Sequence, residues 1–118
     1  MPTQVYWVLE VSVAPGREKD VKALMDEMVK GTLAEPGALN YEWSASDDGA
    51  TWHIFERYAD SAATMAHIKA FGEKYASRFM ALLKPTRWMV YGSPSQEVKN
   101  ALAPSGAMFV PSVGGFSR

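Results

Sequence analysis

Cysteine is absent from this chain of 118 residues. That removes thiol catalysis, disulfides, iron–sulfur clusters and cysteine-based zinc sites, and gives no sign of an oxidising compartment. Histidine is scarce, with two in all, so a non-haem iron triad would need both of them plus a carboxylate such as Glu56. His53 and Glu56 differ by three in a strand and point to opposite faces, so no metal site is expected. Charge of one sign is also lacking: the net charge is -1, with Lys and Arg scattered. Nucleic acid and anionic membrane surfaces are therefore not expected partners. No apolar run is long enough to span a bilayer, and the opening MPTQVYWVLEV carries no basic leader. A cytoplasmic protein is expected. A chain of this size buries about two-thirds of its unfolded surface, so one domain folds without staples.

What is present is a sharp alternation of periods. Val5 to Val13 is rich in β-branched and aromatic residues and ends at Pro15-Gly16, which predicts a strand. Val21, Leu24, Met25, Met28 and Val29 then recur at three- and four-residue steps, an amphipathic helix ending near Gly31. After Glu35-Pro36-Gly37, two runs, Leu39 to Ala45 and Thr51 to Tyr58, flank the hairpin loop Ser46-Asp47-Asp48-Gly49-Ala50. Asp60 or Ser61 caps a following helix that Gly72 is expected to interrupt. Phe71, Tyr75, Phe79, Leu82 and Leu83 carry helicity on until Pro85 stops it, and Arg87 to Tyr91 forms a fourth strand.

The order strand, helix, strand, strand, helix, strand predicts an α+β fold of the ferredoxin-like, split βαβ type. Right-handed crossovers place both helical segments on one side of a four-stranded antiparallel sheet. The other face is bare, yet it is not uniformly polar: Tyr6 and Val8 oppose Trp7 and Leu9, and Met89 and Tyr91 oppose Trp88 and Val90. An exposed patch of that kind marks an interface. A two-fold homodimer with two sheets face to face is expected, giving a dimeric α+β barrel.

EPGALNYEW, WHIFERYAD and the Ala66-His67 pair resemble, in this order, the antibiotic biosynthesis monooxygenase group of the dimeric α+β barrel proteins. The resemblance runs from about Val5 to Tyr91. It implies a small oxygenase that uses no metal or flavin and acts on a quinol, phenol or polyketide-like aromatic with molecular oxygen. Related barrels degrade haem and carry a first-strand Asn, whereas this strand offers Val8, Leu9 and Glu10 there, so no cofactor is expected.

Such chemistry needs a base, donors and a dry pocket. His67, near the start of a helix beside the sheet, is the candidate base, the alternative being a histidine that merely hydrogen-bonds to Glu56. Tyr41 and Trp43 are candidate donors to a substrate oxyanion, and Tyr75 brings a further hydroxyl. Trp7, Leu9, Trp52, Phe71, Tyr75 and Phe79 are candidates to enclose a flat substrate, or simply to fill a core. Glu56 is expected to orient His67 or to pair with an arginine such as Arg87.

Residues 1–93 form the ferredoxin-like domain and 94–118 a C-terminal helix and tail. Ser95 caps a short helix through Leu102, Pro104 stops it, and Ala107 to Pro111 reads as a short edge strand before a flexible end, Gly114 to Arg118. The apolar Met108, Phe109, Val110 and Phe116 predict that this tail docks on its own pocket or on the partner. Two further functions stay open: an isomerase or cyclase on the same scaffold, and a dimeric ligand-binding or stress-associated protein without turnover.

Overall fold

A computed structural model describes residues 3–116 and 118. Part of the flexible end expected over Gly114 to Arg118 therefore falls, at Ser117, outside the described residues. Strand β1 (Val5–Val13) is followed by helix α1 (Glu18–Leu33), strands β2 (Ala38–Ala45) and β3 (Thr51–Tyr58), and helices α2 (Ser61–Lys74) and α3 (Ala76–Leu82). Strand β4 (Leu83–Gly92), helix α4 (Gln96–Leu102), a 3-10 turn (Ala103–Ser105) and strand β5 (Met108–Val110) complete it. The sheet order is β2-β3-β1-β4-β5. The four strands of the ferredoxin-like core are antiparallel, as expected, while β5 adds to β4 in parallel and makes the sheet five-stranded and mixed. The sheet is open within the chain.

Strand parity decides which residues reach the core. Val5, Trp7, Leu9 and Val11 alternate inward along β1, and Trp52, Ile54, Glu56 and Tyr58 do so along β3. They meet Val21, Leu24 and Met28 of α1 and Phe79 and Leu82 of α3 in one cluster. Val98 and Leu102 of α4 join the same core, so the C-terminal helix is tied to the domain by burial. Its N-terminus is capped by Ser95, which accepts from the Val98 amide. No helix among the described residues is long and apolar enough to cross a membrane.

Three local expectations are corrected. Gly72 does not interrupt the second helix: α2 runs through it to Lys74 and breaks at Tyr75, whose φ and ψ are -125° and -24°. Tyr75 turns there toward α1, its hydroxyl 2.5 Å from where a Cβ on Gly31 would stand. Gly31 thus makes room for a tyrosine inside α1, which continues to Leu33. Pro85 does not stop a helix either. Helix α3 has ended at Leu82, Leu83 is already extended, and Pro85 lies within β4 opposite Val11. The register shifts between Glu10 and Val11 at that point, an irregularity that accommodates a residue with no amide hydrogen.

Candidate active site

Two turns bring the site together. At the end of α1, Glu35 donates its amide to Thr32 O and accepts from Ala38, and Gly37 O then accepts from Ala59 at the β3–α2 junction. Gly37 is a glycine because a Cβ there would run into Ala63 of α2. The close approach of these turns places Glu35 beside the second turn of α2. Helix α2 is fixed by Asp60, whose carboxylate accepts from the Ala63 amide at 2.8 Å. Thr64 and His67, three apart, then face inward.

His67 sits between two carboxylates. Its Nδ1 is 3.1 Å and 3.2 Å from the two oxygens of Glu35, and its Nε2 is 3.1 Å from Glu56 Oε1. The Tyr58 hydroxyl donates to the same Oε1 at 2.6 Å. Glu56 and His67 are buried, at 5 % and 7 % exposure. Burial pulls the imidazole pKa down, but the contacts and charges of Glu56 and Glu35 outweigh it, so His67 is raised above its ordinary value. Tyr41 and Tyr58 are pushed far above the usual phenol range, by burial first and then by the Glu56 charge, and stay neutral donors.

Glu56 does not pair with Arg87. That arginine lines a depression on the opposite face of the sheet with Glu10 and His53, as alternation along β4 requires. His53 is 3.0 Å from Glu10 there, so the two histidines lie on opposite sides of the sheet.

A cavity of about 60 Å3 opens between sheet and helices. Trp7, Leu9, Tyr41, Glu56, His67, Phe71 and Phe79 line it, together with Met28, Ile54, Ile68 and Trp88, which sequence reasoning did not single out. Trp88 was legible as an inward residue of β4, and Ile68 follows His67 directly. Three candidates lie outside the cavity. Trp43 stands behind it, edge-on to Tyr41 at 6.4 Å and to Phe79 at 6.3 Å. Trp52 spends its indole N–H on Gly49 O of the hairpin loop at 3.0 Å. Tyr75 packs against α1. Glu35, the missed partner of His67, opens the Glu-Pro-Gly turn, where it reads as punctuation rather than as a side chain.

The lining is apolar apart from Tyr41, Glu56, His67 and the indole N–H groups of Trp7 and Trp88. Those two N–H groups, and that of Trp43, are buried with no partner among the described residues. No cluster of three or more His, Asp or Glu side chains there is arranged to hold a metal.

Solved structures of the same fold include MupZ from Pseudomonas fluorescens, 23% identical, with a TM-score of 0.89, covering 100% of this chain and 91% of that one. SnoaB from Streptomyces nogalater, described as a cofactor-independent oxygenase, is 14% identical with a TM-score of 0.67, over 80% of this chain and 96% of its own. Rv0793 from Mycobacterium tuberculosis is 26% identical with a TM-score of 0.63, over 80% and 98%. Of these three, the MupZ match covers the whole of this chain, α4 and β5 included, and the other two cover 80% of it. No match was found among curated protein sequences. The family model for antibiotic biosynthesis monooxygenases matches residues 5–81, from the first residue of β1 through the Glu35–His67–Glu56 arrangement to α3, and the chain belongs to that family.

Proposed function

We propose that the protein oxygenates a small hydroxylated aromatic, a quinol, phenol or polyketide-like ring, in the cavity beside His67, consuming molecular oxygen without metal or flavin. The observation that carries this is an apolar cavity with acid–base groups on one wall. Membership of the monooxygenase family supports it, as does the fold shared with an oxygenase described as cofactor-independent. A phenol that takes up O2 and yields a quinone and water balances with no external reductant. Apolar walls protect the reactive anion from water.

At about 60 Å3 the cavity is well below the roughly 150 Å3 that takes a benzene ring, so even a single ring requires lining side chains such as Phe71 or Trp88 to move, and a polyketide-like substrate requires more. Trp7, Leu9, Phe71 and Phe79 pack the ring, and the neutral Tyr41 hydroxyl serves as a donor, with Trp43 as its buttress. Trp52 and Tyr75 are assigned to packing of the loop and of α1. Oxygen uptake across a panel of hydroquinones, phenols and naphthols tests the function. Uptake that depends on substrate and is lost in His67→Ala is expected; turnover without uptake overturns the oxygenase.

A second reading, an isomerase or cyclase, draws on the clamped imidazole itself, because a carboxylate–imidazolium–carboxylate array moves protons without oxygen. Spectral change of a substrate under anaerobic conditions favours it.

The partner surface is proposed to be a second copy. Tyr6, Val8, Phe55, Met89 and Tyr91 are all only partly covered on the open face, and Tyr6 stacks on Tyr91 at 5.5 Å. Two such faces meeting about a two-fold axis would close the barrel. A dimer is expected in sedimentation at micromolar concentration, and a monomer there refutes it.

A further inference from the structure

We propose that Glu56 is the proton acceptor of this site, its Oε2 taking the hydroxyl proton of a bound phenol or cyclic enol, with Glu35 and His67 as positioning residues that hold the carboxylate in place. The assignment rests on the cavity being a binding site for a hydroxylated ring. It exchanges the roles that the sequence suggests, in which His67 is the base and Glu56 its support.

The geometry leaves His67 no lone pair to use. A neutral imidazole has one donor nitrogen and one acceptor nitrogen. Here both nitrogens lie 3.1 Å from a carboxylate oxygen, Nδ1 hydrogen-bonded to Glu35 and Nε2 in ion-pair contact with Glu56. Beside two carboxylates that carry no proton, both contacts are attractive only when both nitrogens carry hydrogen. A doubly protonated ring is an electrostatic support and cannot accept a further proton.

The remaining titratable groups around it divide clearly. From β2, Tyr41 is neutral and cannot serve as a base. From β3, Tyr58 is neutral and its hydrogen is committed to Glu56. Glu35, at the α1–β2 turn, does not line the cavity and has a side chain 23% exposed to solvent. Glu56 does line the cavity. Its Oε1 accepts from Tyr58 and lies 3.1 Å from His67 Nε2, and none of the side-chain hydrogen bonds among the described residues reaches Oε2. A buried carboxylate with one oxygen anchored twice and the other free is an acceptor waiting for a donor.

In the step, the O–H bond of the ligand breaks and an O–H bond to Glu56 Oε2 forms, the electron pair remaining on the ligand oxygen. With Glu35 and Glu56 negative and His67 positive, the site carries one net negative charge before and after. Proton transfer therefore moves charge within a dry cavity without adding any, and the imidazolium lies beside the new oxyanion. The same charge selects the substrate: neutral hydroxylated rings are admitted, and rings bearing a carboxylate are repelled.

Binding of phenol, toluene and benzoate to the purified protein tests this, together with 15N spectra of the histidine rings. Phenol should bind about tenfold or more tightly than toluene, as for a hydrogen bond to a buried charge, with benzoate weaker than either. Glu56→Gln should bring the phenol preference to about threefold or less. His67 should show both ring nitrogens protonated at neutral pH, and Glu35→Gln should lower its titration midpoint. Equal binding of phenol and toluene, or a preference that survives in Glu56→Gln, overturns the role of Glu56 and leaves the cavity intact as a binding site. Binding of none of the three rings overturns both. Should Glu56→Gln not fold, a His67 ring with a single protonated nitrogen in the unaltered protein is enough to refute the assignment.

Discussion

Replacing His67 with leucine is the perturbation that weighs the site most directly. The imidazole stands between a carboxylate that is almost wholly buried and one that is partly exposed, at 6% and 23% side-chain exposure. Leucine fills much of the volume but leaves Glu56 without its cation, while Tyr58 still donates to it. Breaking a buried pair by removing one member costs about 3–5 kcal/mol, most of it the stranded charge. The Glu35 contact adds little, because solvent screens that carboxylate. A loss of this size is a third or more of the stability of a domain with about 10 kcal/mol in total. It also has a signature that lost packing lacks. The imidazole supplies its positive charge only while it is protonated, and its pKa is raised above the ordinary value by the two carboxylates. Urea unfolding at fixed protein concentration should therefore find the gap between the two proteins large near pH 6 and reduced toward pH 9, as pH rises through the folded-state pKa of His67. Adding Glu56→Gln to His67→Leu should recover more than about 1 kcal/mol at neutral pH. A gap below about 1 kcal/mol near pH 7, or one independent of pH, would refute the buried ion pair.

Three further outcomes follow from other parts of the fold. Because His67 has a folded-state pKa above its unfolded value, its contribution to stability is fully present below the unfolded pKa and is lost as pH rises through the folded one; unfolding curves of the parent and of Glu35→Gln across pH 5.5–9 should converge toward the alkaline end. Tyr58→Phe removes the 2.6 Å donor to Glu56 and should cost about 1.5–3 kcal/mol, read as a drop in Tm of several degrees with the far-ultraviolet spectrum unchanged. Gly37→Ala sets a methyl against Ala63 and should destabilise by about 1–3 kcal/mol, whereas Gly72→Ala, in open space within α2, should be neutral or stabilising.

The sequence by itself determined the order of elements and the faces of the strands. Alternation along Val5–Val13 and Thr51–Tyr58 is a local property of extended backbone, so Trp7, Leu9, Trp52 and Glu56 could be assigned to the helix side, and His53 to the other, without coordinates. The cap at Asp60 and the spacing to His67 are equally local. Element ends were less legible where a distant residue overrides propensity. Gly72 has the composition of a break, but the break lies at Tyr75, because Tyr75 fits against Gly31 of another helix. Pro85 reads as a stop and instead occupies a register shift in β4. Only the tertiary structure decided the state and partners of His67. Glu35 lies thirty-two residues away in the chain, and no spacing rule joins a turn after one helix to the second turn of another. That contact depends on Gly37 letting the turn approach Ala63, and together with Glu56 it raises the His67 pKa above its ordinary value.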